Sequence, residues 1–153
     1  MKKSGKSSAR KGANALTVLI DTNIILDYIL KREPFAAAAL ECLDRLIIGK
    51  AGIWLTASTI TDIYYVTRRA LRDAVKAKDI IAKLLNAFRI MGVDKSDCLN
   101  ALDARIHDYE DALVSVCAKK AKADYIITRN VKDFEHSSVP ALLPSDYLKN
   151  CLD

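Results

Sequence analysis

Five short apolar runs, separated by segments whose apolar residues recur at helical spacing, set the narrowest limit on how this chain can fold. The first run, LTVLI at 16–20, is continuous and rich in β-branched residues, as a strand buried on both faces requires. AGIWLTAS at 51–58, RIMGVD at 89–94, DYIIT at 124–128 and the weaker VPALL at 139–143 follow. Between them, residues 22–31 repeat Ile24, Ile25, Tyr28 and Ile29. Pro34 opens a second helical pattern that ends near Gly49, and ITDIYYVTRRAL puts Ile60, Ile63, Tyr64 and Thr67 on one face. Residues 76–90, 97–106 and 109–122 also read as helices, and PSDYLKNCLD adds a final turn or two. Parallel strands need crossovers that lay helices on the sheet. The alternation therefore predicts a three-layer α/β/α sandwich around a mostly parallel central sheet. In such sheets polar residues just past the carboxyl ends of strands face a shared crevice, where ligands bind.

The chain has 153 residues, 51% of them hydrophobic, which is enough for one core, expected over 16–153. Residues 1–15 read as a basic, mobile tail. Lys2, Lys3, Lys6, Arg10 and Lys11 account for the whole net charge of +5, because removing those five from 24 basic residues leaves 19 against 19 acids. Such a tail suits RNA phosphates, or serves as a solubilising extension. No apolar run reaches the length of a membrane span and no apolar stretch follows the first lysines, so the cytoplasm is the expected location. Cys42, Cys98, Cys117 and Cys151 are scattered singly, without the close pairs of a zinc site, and read as buried thiols.

Chemistry concentrates in carboxylates. Asp21 follows directly on the first strand, where it either caps the next helix or points into the crevice. Asp62 lies one turn into a helix that starts at Thr59, the acidic position of a capping box, with Ile60 and Ile63 anchoring its turn. Asp108, Glu110 and Asp111 open a helix, which the helix dipole favours. Yet residues 94–111 hold six acids against Lys95 and Arg105, a crowding that is costly unless solvent or a cation offsets it. Thr128, Arg129 and Asn130, followed by Asp133 and Phe134, leave the DYIIT run much as Asp21, Thr22 and Asn23 leave the first. His107 and His136 stand in no nucleophile or zinc motif and read as surface or capping residues. No phosphate-binding glycine loop and no G-x-S-x-G elbow occurs.

DTNIILDYIL, TASTITDIYYV and DYEDALVSVCAKKAKADYIITRNVKDF together resemble the PIN domain over about residues 17–145. The resemblance implies an endoribonuclease that hydrolyses phosphodiesters with Mg²⁺ or Mn²⁺, often the toxin of a toxin–antitoxin pair. It carries the catalytic set onto Asp21, Asp62, Asp111 and Asn130. Asp21, Asp111 and Asp62 would hold metal and converge at one end of the sheet, with Asn23, Thr128, Asp108 and Asp133 in support. The second position is more often Glu, so Asp62 reaches less far, and Asn130 stands where many members have a fourth acid that Asp133 or Asp108 would replace. A homodimer is common among such proteins. Arg68, Arg69, Arg72, Lys76 and Lys78 form a basic stretch beside Tyr64, Tyr65 and Val66, and with Arg129 they are the candidates for touching RNA.

Two other readings use the same residues. A PIN-like scaffold that binds RNA or protein without cutting would suit Asn130 and the basic tail. A phosphotransfer domain would also place an acid after the first strand, but one type needs a second acid two residues on, where Asn23 stands, and the other needs an acidic pair before Asp21, where the chain is apolar.

Overall fold

The computed structural model describes residues 15–150, so the basic segment of the first 14 residues and Cys151 lie outside the described part. The five apolar runs form β1 (Thr17–Ile20), β2 (Gly52–Thr56), β3 (Arg89–Met91), β4 (Tyr125–Ile127) and β5 (Ala141–Leu142). They make one sheet in the order β3-β2-β1-β4-β5, and every pairing is parallel rather than mostly so. The middle position of β1 explains its unbroken apolar sequence, since Val18, Leu19 and Ile20 are all fully buried.

The helices among the described residues are α1 (Thr22–Ile29), α2 (Ala36–Ile48), α3 (Ala57–Leu71), α4 (Ala74–Ala87), α5 (Lys95–Asp103), α6 (Tyr109–Lys120) and α7 (Pro144–Asn150). Side chains of β1 alternate between two cores, as the pleat requires. Val18 and Ile20 pack with Ile24, Ile25, Leu46 and Ile63 on one face, where Leu84 and Tyr147 also lie. Leu19 packs on the other face with Val114, Cys117, Ile126 and Phe134. The expected α/β/α sandwich is therefore present. None of these helices is long and apolar enough to cross a membrane.

Two helix starts differ from expectation, and both differences matter for the acids. Helix α3 begins at Ala57 with Thr56 as its N-cap, because the Thr56 hydroxyl accepts from the Thr59 amide at 3.0 Å. Thr59 thus occupies the third position of the helix, and Asp62 is released from the capping box assigned to it. Helix α5 begins at Lys95, where Asp94 and Asp97 form a reciprocal capping box, and Lys120 of α6 pairs with Asp97 at 2.7 Å and Asp94 at 3.7 Å. Two of the six crowded acids are thereby engaged by one lysine away from the crevice.

A hydroxyl cluster ties the start of α1 to the β2–α3 turn. Thr22 donates to Thr59 at 3.2 Å, and the Thr56 hydroxyl lies 2.9 Å from that of Thr59 and 2.8 Å from that of Ser58. Thr56 and Thr59 are buried, so each hydroxyl depends on the others for its hydrogen bonds. Thr56→Val keeps the volume but orphans the Thr59 amide and its hydroxyl neighbours. It is expected to lower stability by about 1–3 kcal/mol in urea denaturation, and an unchanged midpoint would show that the cluster contributes nothing.

Candidate active site

Asp21 extends the sheet by one residue, its amide donating to the Ile127 carbonyl at 3.0 Å. It has the extended backbone of an N-cap, but its side chain makes no capping hydrogen bond. Its carboxylate instead accepts from the Thr128 hydroxyl at 2.9 Å, joining the exits of β1 and β4 across 107 positions of sequence. Asp21 is only 6% exposed. Burial raises its pKa, and the Thr128 hydroxyl, the Thr22 amide and the charge of Arg129 offset part of that rise.

Facing it is the start of α6. Here Asp108 is the cap, one of its oxygens accepting from the amides of Glu110 at 2.9 Å and Asp111 at 3.1 Å. That assignment frees the side chains of Glu110 and Asp111, which line the same cleft as Asp21. Burial, followed by the charges of Asp21, Asp108, Asp133 and Glu110, pushes Asp111 up to about 7. Glu110 is also raised, first by burial and then by the nearby carboxylate of Asp62, with Asp21 and Asp108 adding smaller effects.

The third wall follows β4. The Asn130 amide donates to the Thr128 hydroxyl at 3.0 Å, while its exposed side chain lines the cleft without capping the short 3-10 turn Val131–Phe134. Phe134 is buried against Leu19 and Ile126, and Ser137 bonds Ser115 of α6 at 2.7 Å, so the loop is pinned from both ends. Asp133, next to that buried ring, lines the cleft and acts on both Asp21 and Asp111. Of the two acids expected to stand in for Asn130, Asp108 caps α6, while Asp133 sits inside the 3-10 turn rather than at its cap.

Together these walls enclose a cleft of about 870 Å³, which also admits Asn23 and Asp62. The expectation for Asp21, Asp62 and Asp111 is metal-bridging distance at one end of the sheet. Asp21, Asp62 and Asp111 share the cleft, yet among the described residues no three acid, histidine or cysteine side chains close on one point. Asp21 is held by Thr128, and the neighbouring acids act on Asp111 and Glu110 as like charges. The donor set still fits a hard cation, because Mg²⁺ and Mn²⁺ prefer oxygen ligands and Mg²⁺ needs only one or two carboxylates beside its waters.

Several cleft residues carry no such role in the sequence reading. Glu110 was grouped with helix-dipole acids, and His107 and His136 line the cleft with Arg105 and Lys132 rather than standing apart from it. Only the crowding of charge near residue 108 pointed toward them. Arg129 is the opposite case. Its guanidinium lies 4.2 Å from the Phe35 ring centre and its Nε lies 3.1 Å from Asp27, so it is half-buried against α1 rather than lining the cleft. Arg68, Arg69 and Arg72 are exposed at the end of α3, in a groove that shares Tyr65 and Val66 with the acid cleft.

The family model described as the PIN domain matches residues 17–132. The chain belongs to the PIN domain family. No curated protein sequence matches it. The PIN fold is shared with VapBC2 from Rickettsia felis, a complex solved with a DNA fragment from its promoter, at a TM-score of 0.67 and 15% identity over 84% of this chain and 98% of that one. A toxin–antitoxin complex from Klebsiella pneumoniae gives a TM-score of 0.63 and 20% identity over 83% and 97% of the two chains. VapC20 from Mycobacterium tuberculosis, a toxin that cleaves the sarcin–ricin loop, gives 0.54 and 18% over 71% and 86%.

Within this PIN domain, Asp111 binds a proton when folded up to about pH 7 but only to about 3.8 when unfolded. The fold therefore loses stability as pH rises through that window. Asp111→Asn removes this loss. Its Tm is expected to exceed that of the parent by about 2–4 °C at pH 8, roughly 1 kcal/mol after screening in an open cleft, and to match it near pH 4. Equal destabilisation at both pH values would assign Asp111 to the helix start instead.

Proposed function

We propose that the chain is a metal-dependent endoribonuclease whose centre is formed by Asp21 and Asp111, with Asp133 and Glu110 beside them. The observation that carries this reading is the buried Asp21 carboxylate, held by Thr128 and electrostatically coupled to an Asp111 that is raised to about 7. Such crowding of acids at the carboxyl edge of a parallel sheet suits a divalent cation, Mg²⁺ or Mn²⁺, held by Asp21 and Asp111. The ion would supply Lewis acidity for phosphodiester hydrolysis. Thr128 fixes the Asp21 oxygen and Asp108 fixes the start of α6, while Glu110 adds a further carboxylate to the same cleft. Arg105 and Lys132 give the cleft positive groups, and His107 and His136 further hydrogen-bonding groups, that a phosphate backbone needs beside so many acids.

The likeness to VapBC2 and to the Klebsiella complex supports pairing with an antitoxin protein, and that to VapC20 supports RNA as substrate. A homodimer is proposed through α3 and α4, where Tyr65 is 69% exposed and Val75 79%. A monomer at micromolar concentration by light scattering would count against it. The non-cutting scaffold remains a second reading, favoured by Asn130 and by acids that do not close on one point.

Cleavage of a panel of structured and single-stranded RNAs separates the two. Mn²⁺-dependent cleavage that is lost in Asp21→Asn and in Asp111→Asn is expected; cleavage that survives chelation, or survives both substitutions, would sink the metal reading. Replacing Arg68, Arg69 and Arg72 together by Ala should weaken RNA binding and flatten its log–log salt slope by about 2 at most. An unchanged slope would return these arginines to a solvated helix face.

A further inference from the structure

Asp27 is fully buried in α1, and neither of its carboxylate oxygens has a well-aligned hydrogen bond. A charge placed so deeply costs several kcal/mol unless it is compensated. The compensation comes from Arg129, whose Nε stands 3.1 Å from Asp27 Oδ2, with the charge of Arg32 adding a smaller effect. Phe35 covers the guanidinium from the other side at 4.2 Å, leaving Arg129 only 25% exposed. The side chain is clamped between an anion and a ring.

Its neighbours in sequence do different work. Thr128 donates to Asp21 at 2.9 Å, and the Asn130 amide donates back to the Thr128 hydroxyl at 3.0 Å. A shift of this segment would pull Arg129 from its clamp and strand the Asp27 charge, so the ion pair fixes the register of both flanking residues. We infer that Arg129 is a positioning residue, pegged between Asp27 and Phe35 so that Thr128 holds the Asp21 carboxylate toward the cleft. This rests on the metal-nuclease reading for its purpose, but not for its geometry.

Amide exchange tests the geometry without any metal. In Arg129→Ala the Asn130 amide should exchange at least about tenfold faster, the loss of a local rather than a global opening barrier, while the amides of β1 keep their protection. Mn²⁺ titration followed by electron spin resonance tests the consequence, with affinity expected to fall about 10- to 100-fold, as when a group that orients a ligand is removed. Arg129→Lys, which keeps the charge but loses the planar stack, should recover part of both effects. Where Arg129→Ala fails to fold, the paired change Asp27→Asn with Arg129→Met removes the stranded charge, and it should restore melting temperature without restoring Asn130 protection. Unaltered Asn130 exchange in either variant would overturn the inference. A variant with altered RNA affinity and salt slope but parental Mn²⁺ binding would overturn it in favour of direct RNA contact. Parental protein that binds no Mn²⁺ would instead refute the metal reading, and the exchange experiment would still decide the peg.

Discussion

The hydrogen bond from Thr128 to Asp21 is the contact on which the cleft depends. A carboxylate at the end of the central strand has little water to solvate it, and burial drives it toward the neutral form. A hydroxyl donor and the nearby guanidinium of Arg129 hold it back toward the charged form. The same bond ties together the two strands on either side of the sheet's change of direction, between β1 and β4, where parallel α/β sheets offer their crevice. Geometry and electrostatics are thus set by one donor–acceptor pair, and the acids of α6 and the 3-10 turn are arranged around it.

That arrangement is held by ordinary structural devices. Asp108 caps α6 and so presents Glu110 and Asp111, Phe134 enters the core and so presents Asp133, and the threonines at 22, 56 and 59 lock α1 against α3. In each case a residue that looks merely structural decides where its functional neighbour points. Which residue caps each helix, open while only the sequence is considered, is answered by adjacency: Asp108 caps α6 and Asp111 does not, Thr56 caps α3 and Asp62 does not.

The layers and the polar exits of β1 and β4 were legible in the sequence, because burial on both faces leaves so plain a pattern in LTVLI and DYIIT, but nothing in those two similar runs marked β1 as the central strand. Less was legible where tertiary partners decide the outcome. Asp94 and Asp97 looked like members of the acid cluster until Lys120, more than twenty residues away, claimed them. Arg129 looked like a free cation, but its partners Asp27 and Phe35 lie about a hundred positions earlier in the chain. Glu110 and the two histidines carry no spacing signal, and only the folding of the α5–α6 loop beside the β4 exit brings them to the cleft.

The order of the strands also fixes when the cleft comes into being during synthesis. β1 is made first, yet one of its two neighbours is β4, and the donor to Asp21 is residue 128 of 153. A chain that emerges from its N-terminus must hold β1 with one edge unpaired until the last third appears, a long-range closure of the kind that slows folding. Until Thr128 and Asp133 have been added, no nascent chain carries both the donor to Asp21 and the complete set of acids. The acidic lining of the cleft is therefore completed only near the end of translation.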